Sequence, residues 1–134
     1  KKELKHLTED LLNRTVFYKV AHHLSHNGTA QRLGLEMMKH KDLAAMATLD
    51  YNTISAGWKN TMPNRELLKE LLLRSKGRLM IMNAEDVNFD FHGEIPLKEK
   101  IEAARTRMTT KERKVFEESL KDDNPLYLQY TIKV

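Results

Sequence analysis

A chain of 134 residues with 40% hydrophobic content can hold one folded domain and an extension, and five Gly and three Pro favour long helices over a many-stranded sandwich. The absence of Cys excludes disulfides, thiolate zinc sites and thiol nucleophiles, and fits a reducing, cytoplasmic setting. A formal charge of +4 suits an acidic partner or nucleic acid, but no dense Lys/Arg block is present and an ordinary solvated surface is the more common source of such an excess. No apolar run approaches the roughly 20 residues that span a bilayer, and no apolar segment follows the Lys-rich start, so neither a membrane partner nor a leader is expected.

In chain order, Leu11, Leu12, Thr15, Val16, Tyr18, Val20, Ala21 and Leu24 recur every three or four positions and predict an amphipathic helix over residues 8–23. Thr8 is placed to cap it, and Glu9 and Asp10 suit the positive end of the helix dipole. Ser25-His-Asn-Gly28 reads as its boundary, and a shorter second helix is expected over residues 30–37, with Gly34 inside it costing roughly 1 kcal/mol against Ala. A third helix is expected over 42–48, with Leu43, Met46 and Ala47 inward. A fourth covers 50–58, where Ile54 and Trp58 share a face. Asn64 is placed to cap the fifth, whose Leu67, Leu68, Leu71 and Leu72 form a wide apolar stripe and whose stop is Gly77. A short sixth helix is expected over 78–84.

Beyond Val87 the pattern changes. Pro96 suits the first position of a helix running to about Met108, and Thr109-Thr-Lys-Glu112 is a capping-box pattern opening another that runs to Lys121. Asp122-Asp-Asn-Pro125 breaks it. At the end Leu128, Tyr130, Ile132 and Val134 alternate with Tyr127, Gln129, Thr131 and Lys133, which is strand periodicity. That strand is expected either to pair with residues 87–91 or to open a further domain, because a single strand is not stable alone.

The order of elements from Asp50 to Asp86 resembles the second half of a death domain: a helix ending in Trp58, a polar turn through Pro63, a leucine-dense helix, Gly77 and a short apolar piece. Leu12-Asn-Arg-Thr15, Gln31-Arg-Leu-Gly-Leu35, Ile54-Ser-Ala-Gly-Trp58 and Glu66-Leu-Leu-Lys-Glu-Leu-Leu72 carry the likeness. It is greatest to the death domains of Toll and interleukin receptor adaptors and their associated kinases, including the myeloid differentiation adaptor, Tube and Pelle. The resemblance implies an all-α, six-helix death-fold bundle over residues 8–87, with a helical extension and a terminal strand over 88–134. It implies a signalling adaptor without enzymatic activity or cofactor, assembling with other death-domain proteins in innate-immune or cytokine receptor pathways, as a homo-oligomer or with partners. Lys39, Lys41, Asp42, Asp50, Lys59, Arg65, Glu66 and Lys69 would then supply the partner-binding charges, and Trp58, Leu67, Leu68 and Leu71 the core. The alternative is a helical nucleic-acid-binding domain using the basic surface, although nucleic acid is the less expected partner.

Other constellations carry little chemistry. His22 and His26, four apart with His23 between and His40 further on, have metal-ligand spacing but lack a third ligand, so no metal site is expected. Glu85-Asp86 and Asp122-Asp123 are adjacent carboxylates with nothing to separate their pKa values, and neither a phosphate loop nor a nucleophile motif is present. Met37, Met38, Met46, Met80 and Met82 sit at helical spacing and are expected to fill the core.

Overall fold

The computed structural model describes residues 2–20, 34–49, 63–82, 84, 87, 95–124 and 127–133. Its elements are α1 (Lys2–Asn13), β1 (Phe17–Val20), a 3-10 turn (Leu35–Met37), β2 (Ala44–Ala47), α2 (Arg65–Ser75), β3 (Leu79–Ile81), α3 (Leu97–Arg105), α4 (Thr110–Ser119), β4 (Leu120–Asn124) and β5 (Tyr127–Tyr130). Strands β1, β2 and β3 form a parallel sheet in that order, and β4 pairs antiparallel with β5.

The all-α six-helix bundle is therefore overturned. Three predicted helices contain strands instead. The first breaks at Arg14, and the aromatic and β-branched run Phe17-Tyr-Lys-Val20 becomes β1, so Thr8 lies within α1 and is not its cap. The segments expected as third and sixth helices supply β2 and β3. Both are short apolar runs, and such runs have no period that distinguishes a strand covered on two faces from a buried helix. Where a second helix was expected, residues 35–37 form one 3-10 turn. The expected fourth helix, with Asp50, Trp58 and Lys59, lies outside the described residues.

Alternation along the strands divides the core in two. Val20, Ala45, Ala47, Leu79 and Ile81 face a large cluster containing Leu67, Leu68, Leu71 and Leu72 of α2 and Leu97 and Ile101 of α3. Ala44 and Met80 face the other way, onto Met108, Phe116, Phe17, Leu120, Leu128 and Tyr130. Helices α2 and α3 thus cover one face, and α4 with the β4–β5 hairpin covers the other. Leu97 and Ile101 lie beyond the boundary expected after Val87, yet they share a cluster with the α2 leucines.

Helix α2 starts where its sequence says it should. The Asn64 side chain accepts the Leu67 N–H at 2.9 Å, and the chain leaves the helix through Lys76 (φ 51°) and Gly77 (φ 79°), whose N–H donates to the Leu72 carbonyl. Gly77 is required there. A Cβ would lie 2.6 Å from the Arg105 backbone nitrogen, in a backbone conformation that side chains disfavour. Pro96 stands as N-cap of α3. The Thr109–Glu112 capping box opens α4, with the Thr109 hydroxyl accepting the Glu112 N–H at 3.1 Å and Glu112 accepting the Thr109 N–H at 3.2 Å. The first part of the terminal alternation, Tyr127–Tyr130, is a strand paired with β4; of the expected partner segment 87–91, all but Val87 lies outside the described residues.

Candidate functional site

Because α3 lies on one face of the sheet and α4 on the other, the turn between them passes the outer edge of β3. That edge is defined by the ladder. The Ala45 N–H donates to the Arg78 carbonyl at 2.8 Å, so in this parallel register the Arg78 carbonyl and the backbone polar groups of Met80 and Met82 turn to β2. Leu79 and Ile81 turn theirs away. Arg105, at the end of α3, covers the first part of the edge: its Nε donates to the Gly77 carbonyl at 2.9 Å, and one terminal nitrogen lies 3.5 Å from the Leu79 carbonyl. Among the described residues the N–H and C=O of Ile81 have no strand partner, although the residue as a whole is only 7% exposed.

Beyond Arg105 the edge opens onto a cleft of about 470 Å³ between α3, β3 and the hairpin. Its walls carry Lys98, Glu102 and Arg105 from α3, Asp122, Asp123 and Tyr127 from the hairpin, and Ile81 and Met82 from the strand. Spacings of four and three put the three α3 charges on one helix face. Two of those charges are already committed. Arg105 donates to Glu102 at 2.9 Å and lies 4.9 Å from the centre of the Phe116 ring, while Glu102 also accepts from Arg113 at 3.1 Å. Burial lowers the Arg105 pKa; Glu102 and, more weakly, Asp122 oppose that shift, while Arg113 adds to it. Lys98, Asp122 and Asp123 make no ion pair among the described residues.

A second charged cluster lies at the other end of the strand. Arg78, 4% exposed, donates to the Lys41 carbonyl at 3.1 Å and to Glu112 Oε2 at 2.9 Å, and Lys76 Nζ reaches the same oxygen at 2.9 Å. Hydrogen bonds from Lys76, the Thr109 N–H and Arg78 hold the Glu112 carboxyl at about 2, against the opposing effect of burial. The cluster ties the start of α4 to the start of β3, and Arg78 also anchors it to the Lys41 and Ser75 carbonyls.

The residues expected from the sequence to bind partners are not gathered into either place. Lys39, Lys41 and Asp42 are exposed. Lys41 lies 3.5 Å from Asp42, whose N–H donates to His40 Nδ1 at 3.1 Å. Lys69 pairs with Glu66 at 3.0 Å one turn along α2, beyond the half-buried Arg65. Asp50 and Lys59 lie outside the described residues, as does Trp58 among the expected core anchors, whereas Leu67, Leu68 and Leu71 are buried. Met38 and Met80 are buried, while Met82 lines the cleft. His22, His23 and His26 are likewise outside the described residues, and among those described no three His, Cys, Asp or Glu side chains are placed to hold a metal ion. No described helix is long and apolar enough to cross a membrane. The cleft residues missed in the sequence left two signals: the helical spacing of Lys98, Glu102 and Arg105, and the doublet Asp122-Asp123.

Comparison with protein-family models, with curated proteins and with solved structures finds no match.

Proposed function

We propose that this chain is a protein-interaction module that takes up an extended peptide as an added strand along the outer edge of β3. The observation that carries this reading is Ile81: its N–H and C=O point away from β2 into a lined cleft, on a residue otherwise removed from water. An unpaired backbone pair at such a site is costly, and an incoming strand supplies both missing partners. The cleft also lies towards the carboxyl end of a parallel strand, where open α/β sheets commonly receive ligands. Homotypic death-domain assembly needed a helical bundle, so the interaction proposed here has a different basis. A cytoplasmic setting remains part of the proposal, because the Cys-free composition suits a reducing compartment.

Selection from a displayed library of ten-residue peptides tests the reading. Enriched peptides should lose binding when alternate backbone nitrogens are methylated, and they should slow hydrogen exchange at the Ile81 amide. Enriched peptides that tolerate methylation at every position, or no enrichment at all, would overturn strand addition.

A second reading, nucleic-acid binding, is favoured by one observation. Arg107, Lys111 and Lys114 lie close together in sequence at the corner between α3 and α4 and make no ion pair among the described residues. It requires duplex or single-strand affinity that falls steeply with salt. No binding at low salt removes it.

A further inference from the structure

We infer that the peptide received at the β3 edge is cationic in a strand pattern, with Lys or Arg at every second residue, and that Asp122 and Asp123 recognise those side chains. The inference rests on strand addition and concerns what the added strand must look like.

Charge gives the first half of it. The chain as a whole is basic, at +4, yet five charged residues line the cleft and three of them are carboxylates. Arg105 is held by the Gly77 and Leu79 carbonyls and by Glu102, and Glu102 is divided between Arg105 and Arg113. That leaves Lys98 on the α3 wall against Asp122 and Asp123 together on the hairpin wall. The field of Asp122 extends into the cleft, since it contributes to holding the proton on Arg105. The hairpin wall is thus the acidic side of a basic protein, and a cationic ligand is attracted to it.

Strand geometry gives the second half. Side chains of a strand added to the β3 edge alternate between the two faces of the sheet. Those directed to one face approach α3, with Ile101 and Lys98; those directed to the other approach the hairpin, with Asp122 and Asp123. Cationic residues are favoured at every second position, and apolar, uncharged residues suit the positions between them. Arg105 limits the register, because its guanidinium already occupies the Gly77 and Leu79 carbonyls and leaves Ile81 as the first residue able to pair through both backbone groups.

Three synthetic peptides of equal length separate the possibilities: alternating Val and Lys, alternating Val and Glu, and a block peptide with all the Val preceding all the Lys. The intact chain should bind the alternating Val/Lys peptide best, with affinity that weakens as salt rises. The Asp122→Asn, Asp123→Asn double variant should weaken that binding about tenfold and flatten its salt dependence, since both charges line the cleft. Both residues are exposed and make no ion pair among the described residues, so the variant should keep the parent's melting temperature. If the Val/Glu peptide binds as tightly as Val/Lys, or the double variant binds Val/Lys unchanged, the charge inference falls while strand addition stands. If the block peptide binds as well as the alternating one, simple charge attraction replaces the strand pattern. If none of the three binds, both readings fall.

Discussion

On one face of the sheet, α2 sets Leu67, Leu68, Leu71 and Leu72 against Ala45, Ala47, Leu79 and Ile81, and α3 adds Leu97 and Ile101. On the other face a smaller apolar group around Phe116, Met108, Ala44 and Met80 is joined by the buried Arg78, with Lys76 and Glu112. The first layer is held by area removed from water, which is insensitive to pH and salt near neutrality. The second adds a charged clamp whose strength depends on one carboxylate remaining ionised. Two layers on the same three strands should therefore fail differently.

The largest difference is expected from truncation on the leucine face. Leu68 has no exposed surface, and Leu68→Ala should destabilise the chain by about 2–5 kcal/mol through lost burial and the cavity left behind. Urea denaturation measures it, and an effect below about 1 kcal/mol would show that α2 does not anchor the sheet.

Glu112→Ala should cost about 3 kcal/mol, because it leaves the Arg78 guanidinium buried without its carboxylate. Replacing both members, as Arg78→Met with Glu112→Leu, should recover most of that loss, since a buried ion pair is often no more stabilising than apolar residues of similar size. No such recovery is available on the leucine face, where every truncation leaves a void. If the double replacement is as unstable as the single one, the clamp contributes specific geometry beyond its charges.

The layers should also separate by pH. The Glu112 carboxyl is held at about 2 in the folded chain, below the ordinary value of 4.5, so its contribution is complete above 4.5 and is lost as pH falls towards 2. Melting temperature should drop through that window in the parent and in Leu68→Ala alike. Glu112→Gln should start lower and fall less steeply. Parallel slopes in all three would place the acid sensitivity in other carboxylates.

The leucine layer is also the part of the fold most legible in the sequence. Asn64, the leucine spacing and Gly77 act within one helix, and the Thr109–Glu112 box and the Tyr127–Tyr130 alternation are likewise local signals. The parallel strands are the opposite case. Ala45 meets Leu79 and Tyr18 meets Ala45, pairings far apart in sequence, and strands covered on both faces lack the alternation that betrays a half-exposed one. The cleft suffers from the same non-locality. Lys98, Glu102 and Arg105 can be placed on one helix face from spacing, but that Asp122 and Asp123 face them across the edge of β3 depends on the crossing from α3 to α4.

The smallest effects are expected where the sequence placed its partner-binding charges. Lys41, Asp42, Glu66 and Lys69 are exposed and, among the described residues, pair with near neighbours along the chain, at 3.5 Å for Lys41 with Asp42 and 3.0 Å for Lys69 with Glu66. Such pairs gain little in water and lose side-chain freedom, so neutralising Asp42 or Glu66 should change stability by less than about 0.5 kcal/mol. The contrast with Glu112 is then a comparison of carboxylates in one chain, each beside a Lys, differing in whether a buried guanidinium depends on them. Asp42→Asn and Glu66→Gln should leave the melting temperature at neutral pH unchanged. The same two variants should bind the alternating Val/Lys peptide as the parent does, because neither residue lines the cleft. Lost peptide affinity in either, with melting unchanged, would move the binding surface from the β3 edge to the charged faces around β2 and α2.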